Sequence, residues 1–240
     1  MHTRLSVNIN KLATVRNARG GNMPDILKAA KDIESYGAEG ITVHPRPDER
    51  HIRYRDVLDL KPILSTEFNI EGNPIPSFTE LVCRVIPTQV TLVPDAHDAI
   101  TSNAGWDTSN PENRKFLAEK CRIFHSLGIR ASIFIDPDPE KIRMATETVC
   151  DRLELYTAAY AQGYGTNPEK ALAPYYEAAL EAGRQGLGLN AGHDLSLINL
   201  KYFSDNIPEL AEVSIGHALI CEAIYDGLKN TVRSYLDILK

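Results

Sequence analysis

Four of the seven histidines in this chain stand at or just beyond the end of a short apolar run. His44 follows Gly40-Ile41-Thr42-Val43, and His51 lies further along the cationic loop that His44 opens. His193 follows Asn190-Ala191-Gly192, and His217 follows Ser214-Ile215-Gly216. Histidine is the side chain that titrates nearest neutral pH, so such positions suit proton transfer. Glu71 closes another apolar run, where a carboxyl losing its water has its pKa raised and serves as a base. Glu154 sits inside a further run and is suited to stabilising a cationic intermediate, orienting a neighbour or pairing with an arginine. The glycines before His193 and His217 fall between a strand and a helix. Backbone N–H groups there approach an anion closely, and the helix start favours negative charge. Arg19 and Arg46 supply a second cationic pocket, since guanidinium forks match phosphate; Arg50 reads as a solvated loop charge. Two anion pockets imply two phosphorylated substrates or one bisphosphate.

Side chains this far apart in sequence meet only if regular elements bring them together. Strand patterns cover residues 5–8, 40–43, 67–70, 89–93, 130–135, 152–156, 188–191 and 212–215. Helical patterns fall between them at 22–36, 55–64, 76–85, 110–128, 139–150, 167–186 and, capped by Asp194 or Ser196, up to 203; a last one covers 218–239. Stretches 16–21, 94–107 and 158–166 read as loops, the second long enough to be functional. Strict alternation implies a parallel sheet, and eight units in 240 residues fit a (β/α)8 TIM barrel over residues 1–240 as one domain. A doubly wound open sheet is the competing architecture, but no GxGxxG follows the first strand and no Walker A loop is present. In a barrel the C-terminal strand ends share one face, which carries the active site. Those ends here are Asn8, His44, Glu71, Thr157, His193 and His217.

Composition narrows the partners. A net charge of −6 argues against a broad nucleic-acid surface, so cations for small anions must be gathered locally. The four cysteines are single, with no CxxC spacing; Cys83, Cys121 and Cys221 read as small core residues, and Cys150 ends a helix. No apolar signal region opens the chain and no segment approaches the length of a membrane span, which leads to the expectation of a soluble cytoplasmic protein with no membrane partner.

The residues alone leave other chemistries open. His44, Glu71 and His193 could ligate a metal for hydrolysis, although neither HxH nor HExxH spacing occurs. Lys11, the lysine near a strand end, could form a Schiff base as in an aldolase. A barrel that binds phosphate without turnover is a third reading.

Several pieces together resemble the pyridoxine 5′-phosphate synthases. They are Val7-Asn8-Ile9, Arg16-Asn17-Ala18-Arg19-Gly20, Gly40-Ile41-Thr42-Val43-His44, Arg50-His51-Ile52, Leu92-Val93-Pro94, Phe134-Ile135-Asp136, Asn190-Ala191-Gly192-His193 and Ile215-Gly216-His217. The resemblance covers nearly the whole chain. It implies a (β/α)8 barrel with extra helices, assembled as a homo-octamer built from dimers. It implies condensation of 3-amino-2-oxopropyl phosphate with 1-deoxy-D-xylulose 5-phosphate, with neither metal nor organic cofactor. By the same resemblance His44 and Glu71 match proton acceptors, His193 a proton donor and Glu154 a transition-state stabiliser. Asn8, Arg19, Asp194, Gly216 and His217 match contacts to the amino-ketone phosphate. Arg46, His51 and Thr101 match contacts to the sugar phosphate, Thr101 in a loop that closes over the site. Asn10 and Lys11 stand where the family commonly has Asp-His next to the sugar, and Asp194 stands where it has glycine.

Overall fold

Along the strands of this chain nearly every second residue is polar: Ser6 and Asn8; Thr42; Asn69 and Glu71; Thr91; Ser132; Arg152 and Glu154; Asn190; Glu212 and Ser214. Strand side chains alternate between the two faces of a sheet, so this pattern sends polar groups one way and apolar groups the other. The computed structural model describes residues 2–94 and 104–240. In it the strands β1 (Arg4–Asn8), β2 (Gly40–Val43), β3 (Glu67–Gly72), β4 (Gln89–Leu92), β5 (Arg130–Ile135), β6 (Arg152–Tyr156), β7 (Gly188–Gly192) and β8 (Leu210–Ile215) pair in parallel. The sheet closes through β8 onto β1 and forms an eight-stranded barrel in sequence order.

The apolar positions face outward. Leu5, Val7, Ile41, Val43, Phe68, Ile70, Val90, Leu92, Ile133, Leu153, Val213 and Ile215 are fully or almost fully buried in one core with the helices. The polar positions face inward and bond to one another. The Ser6 and Thr42 hydroxyls lie 2.7 Å apart, Asn69 Nδ2 donates to Thr42 Oγ1 at 3.4 Å, and Thr91 Oγ1 donates to Asn69 Oδ1 at 3.1 Å. Below them Arg4 and Arg130 pair with Glu67, and Arg130 Nε donates to Gln89 Oε1 at 2.8 Å. Most of these buried polar groups therefore have a partner that offsets much of their lost hydration, Ser132 Oγ and Gln89 Nε2 being exceptions.

The helices are α1 (Asn10–Arg19), α2 (Ile26–Ser35), α3 (Tyr54–Leu60), α4 (Pro76–Val85), α5 (Pro111–His125), α6 (Pro139–Ala145), α7 (Ala158–Tyr164), α8 (Pro168–Arg184), α9 (Leu200–Asn206), α10 (His217–Asp226) and α11 (Leu228–Ile238). Several of them correct the sequence expectation. Residues 16–21 belong largely to α1, which buries only Ala13 and Arg16 and so shows almost no apolar stripe. Residues 158–164 form α7, held by Tyr160, whose ring packs 4.9 Å from Phe203 and 5.9 Å from Tyr175. The expected last helix is two, broken at Gly227, whose φ of 79° lies in the left-handed region. The helix expected over 139–150 ends at Ala145 and continues as a single 3₁₀ turn, Thr146–Thr148. α9 starts only at Leu200, so neither Asp194 nor Ser196 caps it as expected. Cys121 and Cys150 are buried and Cys83 is half-buried, but Cys221 is exposed on α10 rather than in the core. Among the described residues no helix is long and apolar enough to cross a membrane.

Candidate active site

A cavity of about 590 Å³ opens at the C-terminal ends of the strands. Twelve of the fourteen residues expected to act there line it: Asn8, Asn10, Lys11, His44, Arg46, His51, Glu71, Glu154, His193, Asp194, Gly216 and His217. Arg19 does not; it is exposed in the last turn of α1, beside the left-handed Gly20 that ends the helix. Thr101 lies outside the described residues. Arg50 is exposed, as expected, and also borders the cavity, with Thr14, Val93, Phe134, Leu195 and Ser214. Ser214 and Phe134 belong to the sequence pieces already singled out. Thr14 had no signal, since it reaches the cavity only as part of the unexpected helix.

Each acid/base candidate is fixed from below by a strand. Glu71, at the end of β3, accepts from Asn8 Nδ2 at 3.3 Å and from Ser214 Oγ at 3.4 Å, bonds that come from β1 and β8. Its Oε2 lies 4.0 Å from His44 Nδ1, at the end of β2. The His44 backbone N–H is held by Asn10 Oδ1 at 2.9 Å, and Asn8 Oδ1 in turn accepts from Asn10 N at 3.0 Å. Asn10 thus positions the histidine through its main chain. Burial, and after it the charges of Arg46, His51 and Arg50, push the His44 pKa down to about 3. His44 is therefore neutral near pH 7.

The loop after β2 is clamped by α1. Arg16, buried and bidentate, donates to Asp56 Oδ1 at 2.7 Å and Oδ2 at 2.8 Å, and to the His51 carbonyl at 3.1 Å. Asn17 Nδ2 adds a bond to the same carbonyl at 2.8 Å. This arrangement presents Arg46 and His51 to the cavity. Burial, then Arg46, Lys11 and Arg50, lower the His51 pKa to about 4. Its Nδ1 accepts from Ile52 N at 2.9 Å, which leaves Nε2 to carry the proton of the neutral ring and donate it to a ligand.

His193 and Asp194 both have positive φ, 82° and 62°. Backbone of this kind favours glycine, and aspartate tolerates it better than most residues. The Asp194 carboxylate turns sideways, with Oδ2 3.2 Å from His193 Nδ1. The His193 ring stands edge-on to Tyr156 at 4.9 Å, and the Thr157 hydroxyl donates to the carbonyls of Gly192 and His193. Gly216 precedes the N-terminus of α10, with His217 as its first residue. A Cβ on Gly216 would stand 3.1 Å from the Asn8 Cβ, so glycine lets these two strand ends meet.

Glu154 forms part of the cavity floor and is 4% exposed. Burial, with the Glu212 charge second, pushes its pKa up to about 8. The spacing suggested that Gly192 is glycine so that an anion can approach. The structure gives another reason: a Cβ at Gly192 would stand 2.4 Å from Glu154 Oε1. Among the described residues no three His, Cys, Asp or Glu side chains are placed to hold a metal, so the ligand set required by the hydrolase reading does not form.

Comparison with known proteins agrees with this architecture. Residues 5–240 match the family model described as pyridoxal phosphate biosynthesis protein PdxJ. A pyridoxine 5′-phosphate synthase of Phocaeicola vulgatus is 61% identical over 238 residues, covering 99% of each chain. That of Christiangramia forsetii is 60% identical over 238 residues, covering 99% of this chain and 100% of the relative. Among solved structures, tryptophan synthase from M. tuberculosis superposes with a TM-score of 0.65 at 12% identity, covering 99% of this chain and 93% of the other, a likeness of fold alone. The chain belongs to the pyridoxine 5′-phosphate synthase family, the PdxJ enzymes of pyridoxal phosphate biosynthesis.

Proposed function

We propose that this enzyme joins 3-amino-2-oxopropyl phosphate to 1-deoxy-D-xylulose 5-phosphate, a transferase-type condensation that yields pyridoxine 5′-phosphate, inorganic phosphate and two waters. The observation that carries this reading is the convergence of His44, Glu71, Glu154 and His193 on one cavity whose rim also holds Arg46, His51 and the start of α10. The N–H groups before α10, with His217, suit the phosphate of the amino-ketone. Arg46, with His51 and Lys11 beside it, suits the phosphate of the sugar.

The substrate amine attacks the sugar ketone, and loss of the first water gives a Schiff base between the two substrates. His44, neutral and 4.0 Å from Glu71, takes a proton to form the enamine. Phosphate then leaves, assisted by a proton from His193. Ring closure and loss of the second water give the aromatic product. Each positioned proton transfer is worth about 10²–10⁴-fold in rate, and holding both substrates together contributes more. Lys11 lines the cavity and offers its charge to a phosphate or hydroxyl. The working form is a cytoplasmic homo-octamer built from dimers.

Incubation with both substrates, following the pyridoxine chromophore and released phosphate, tests the reading. Product and phosphate should appear together. His193→Asn should bind both substrates yet stall before phosphate release, and unaltered release would remove His193 from its role. Borohydride in the presence of either substrate should leave Lys11 unmodified; trapping there would favour an aldolase.

A further inference from the structure

The turn after β7 holds two consecutive residues in the left-handed region, His193 at φ 82° and Asp194 at φ 62°. Neither is glycine, and backbone of this kind persists only where its surroundings over-determine it. Three carbonyls in a row are tied down here. The Thr157 hydroxyl shares its proton between those of Gly192 and His193, and Asn199 Nδ2 donates to that of Asp194 at 3.2 Å. Thr157 and Asn199 are themselves buried. Asn199 is fixed in turn by Ser196 N, which donates to its Oδ1 at 2.8 Å, and by the Tyr160 hydroxyl, which donates to its carbonyl at 2.7 Å. The main chain therefore presents the side chains of His193 and Asp194 in one arrangement.

That arrangement sets Asp194 Oδ2 3.2 Å from His193 Nδ1. Nδ1 is sealed from solvent, and no hydrogen bond of good geometry reaches it. A buried N–H without a partner is costly, and catalytic bonds often come into line only when substrate binds. The rest of the ring is more open: the side chain is 28% exposed and lines the cavity, with Tyr156 edge-on to it at 4.9 Å. Nδ1 thus faces the protein and a carboxylate, and Nε2 is the nitrogen left for the cavity. The other titratable and charged groups approach from elsewhere. Glu154 and Tyr156 come from β6, His44 from the end of β2, Glu71 from β3 and His217 from α10. Lys11, Arg46, Arg50 and His51 belong to α1 and the loop after β2.

We propose that Asp194 is a positioning residue for proton delivery: its carboxylate accepts the Nδ1 proton of His193, fixes the ring, and leaves Nε2 to hand over the other proton. Which imidazole nitrogen acts is set by the bond that the other one makes. When phosphate leaves, its C–O bond breaks with the electron pair going to oxygen, as the enamine's electrons move to the carbon it leaves. The Nε2 proton goes to that oxygen. The ring is left neutral, with its remaining proton on Nδ1 toward Asp194, and Nε2 is reprotonated from solvent. Asp194 acts through His193 and not on the reacting atoms, which gives the strained turn a purpose: it aims the donor. The part in turnover rests on the reaction proposed above; the pairing of the two side chains does not.

Solid-state nitrogen NMR of the whole enzyme, grown with isotopically labelled histidine and referenced to His193→Asn, isolates the two ring nitrogens of His193. Nδ1 should carry a proton in the unaltered protein, and in Asp194→Asn and Asp194→Gly that proton should redistribute between the two nitrogens. Both variants keep the turn, since asparagine tolerates positive φ and glycine adopts it freely; Asp194→Gly should melt at a higher temperature than the unaltered protein. Even so, kcat should fall about tenfold or more in both, with KM for either substrate within about twofold. Ring nitrogens unmoved in both variants overturn the proposal. So does an unchanged kcat with a lower KM for the amino-ketone, the behaviour of a rim charge that only repels phosphate. Should the nitrogens shift while the unaltered enzyme forms no pyridoxine 5′-phosphate, the reaction falls and the pairing stands.

Discussion

Gly192 shows how one missing side chain shapes this site. Any substituent there enters the place of Glu154 Oε1, and the Ser214 carbonyl, 3.4 Å from the same point, restricts escape on the other side. Gly192→Ala should therefore leave the barrel folded, with stability reduced by about 1–3 kcal/mol from overpacking, and should lower kcat at least about tenfold by displacing the carboxyl. Urea unfolding and steady-state kinetics on one preparation separate the two effects. In the sequence this glycine was visible as part of Asn190-Ala191-Gly192-His193, but its reason was not, because Glu154 lies on another strand and only the register brings them together. Asn10 gives the opposite lesson. Its departure from the family's usual aspartate was legible, yet the amide oxygen still holds the His44 N–H at 2.9 Å, since the bond needs only an acceptor.

At the scale of elements, α1 was the main surprise. It lacks an apolar stripe because its buried face is made largely by an arginine, and a reading based on periodicity passes over such a helix. Its Arg16 ties α1 to the loop that carries Arg46 and His51. Arg16→Ala would leave Asp56 without its bidentate partner in a largely buried setting, and should cost about 3–5 kcal/mol. A loosened loop should also raise KM for the sugar substrate more than for the amino-ketone. Equal changes in both constants, or a melting temperature within a degree of the unaltered protein, would contradict this coupling. α7 escaped notice for a related reason: Gly163 and Gly165 suggested a loop, while the buried Tyr160 with its aromatic neighbours decided for a helix.

For the molecule as a whole, the eight strands were readable because each is a short apolar-rich run bounded by turn signals, and their order follows from alternation with helices. The polar inner lining was the part least visible, since only β6 showed clear alternation to a reader counting apolar residues. Its titratable members shape stability against pH. His44 and His51 hold pKa values of about 3 and 4, below the ordinary 6.5, so the unfolded chain binds protons that the folded one refuses, and stability falls as pH drops below 6.5. Glu154 and Glu212 are raised from 4.5 to about 8 and 7, so the folded chain keeps protons that the unfolded one releases, and stability falls as pH rises above 4.5. Melting temperature should form a plateau between these limits and decline on either side. His51→Gln should flatten the acid decline, and Glu212→Gln the alkaline one; parallel curves for all three proteins would show that these groups are not responsible.

Because hydrophilic side chains fill the lumen, the grease that keeps this protein folded sits in the sleeve between sheet and helices. Cohesion and catalysis are thereby assigned to opposite sides of the same strands. A substitution at Val7 should weaken the molecule without altering its chemistry, and one at the neighbouring Asn8, which lines the cavity, should do the reverse, so the enzyme can be toughened from outside while its reaction is retuned from within.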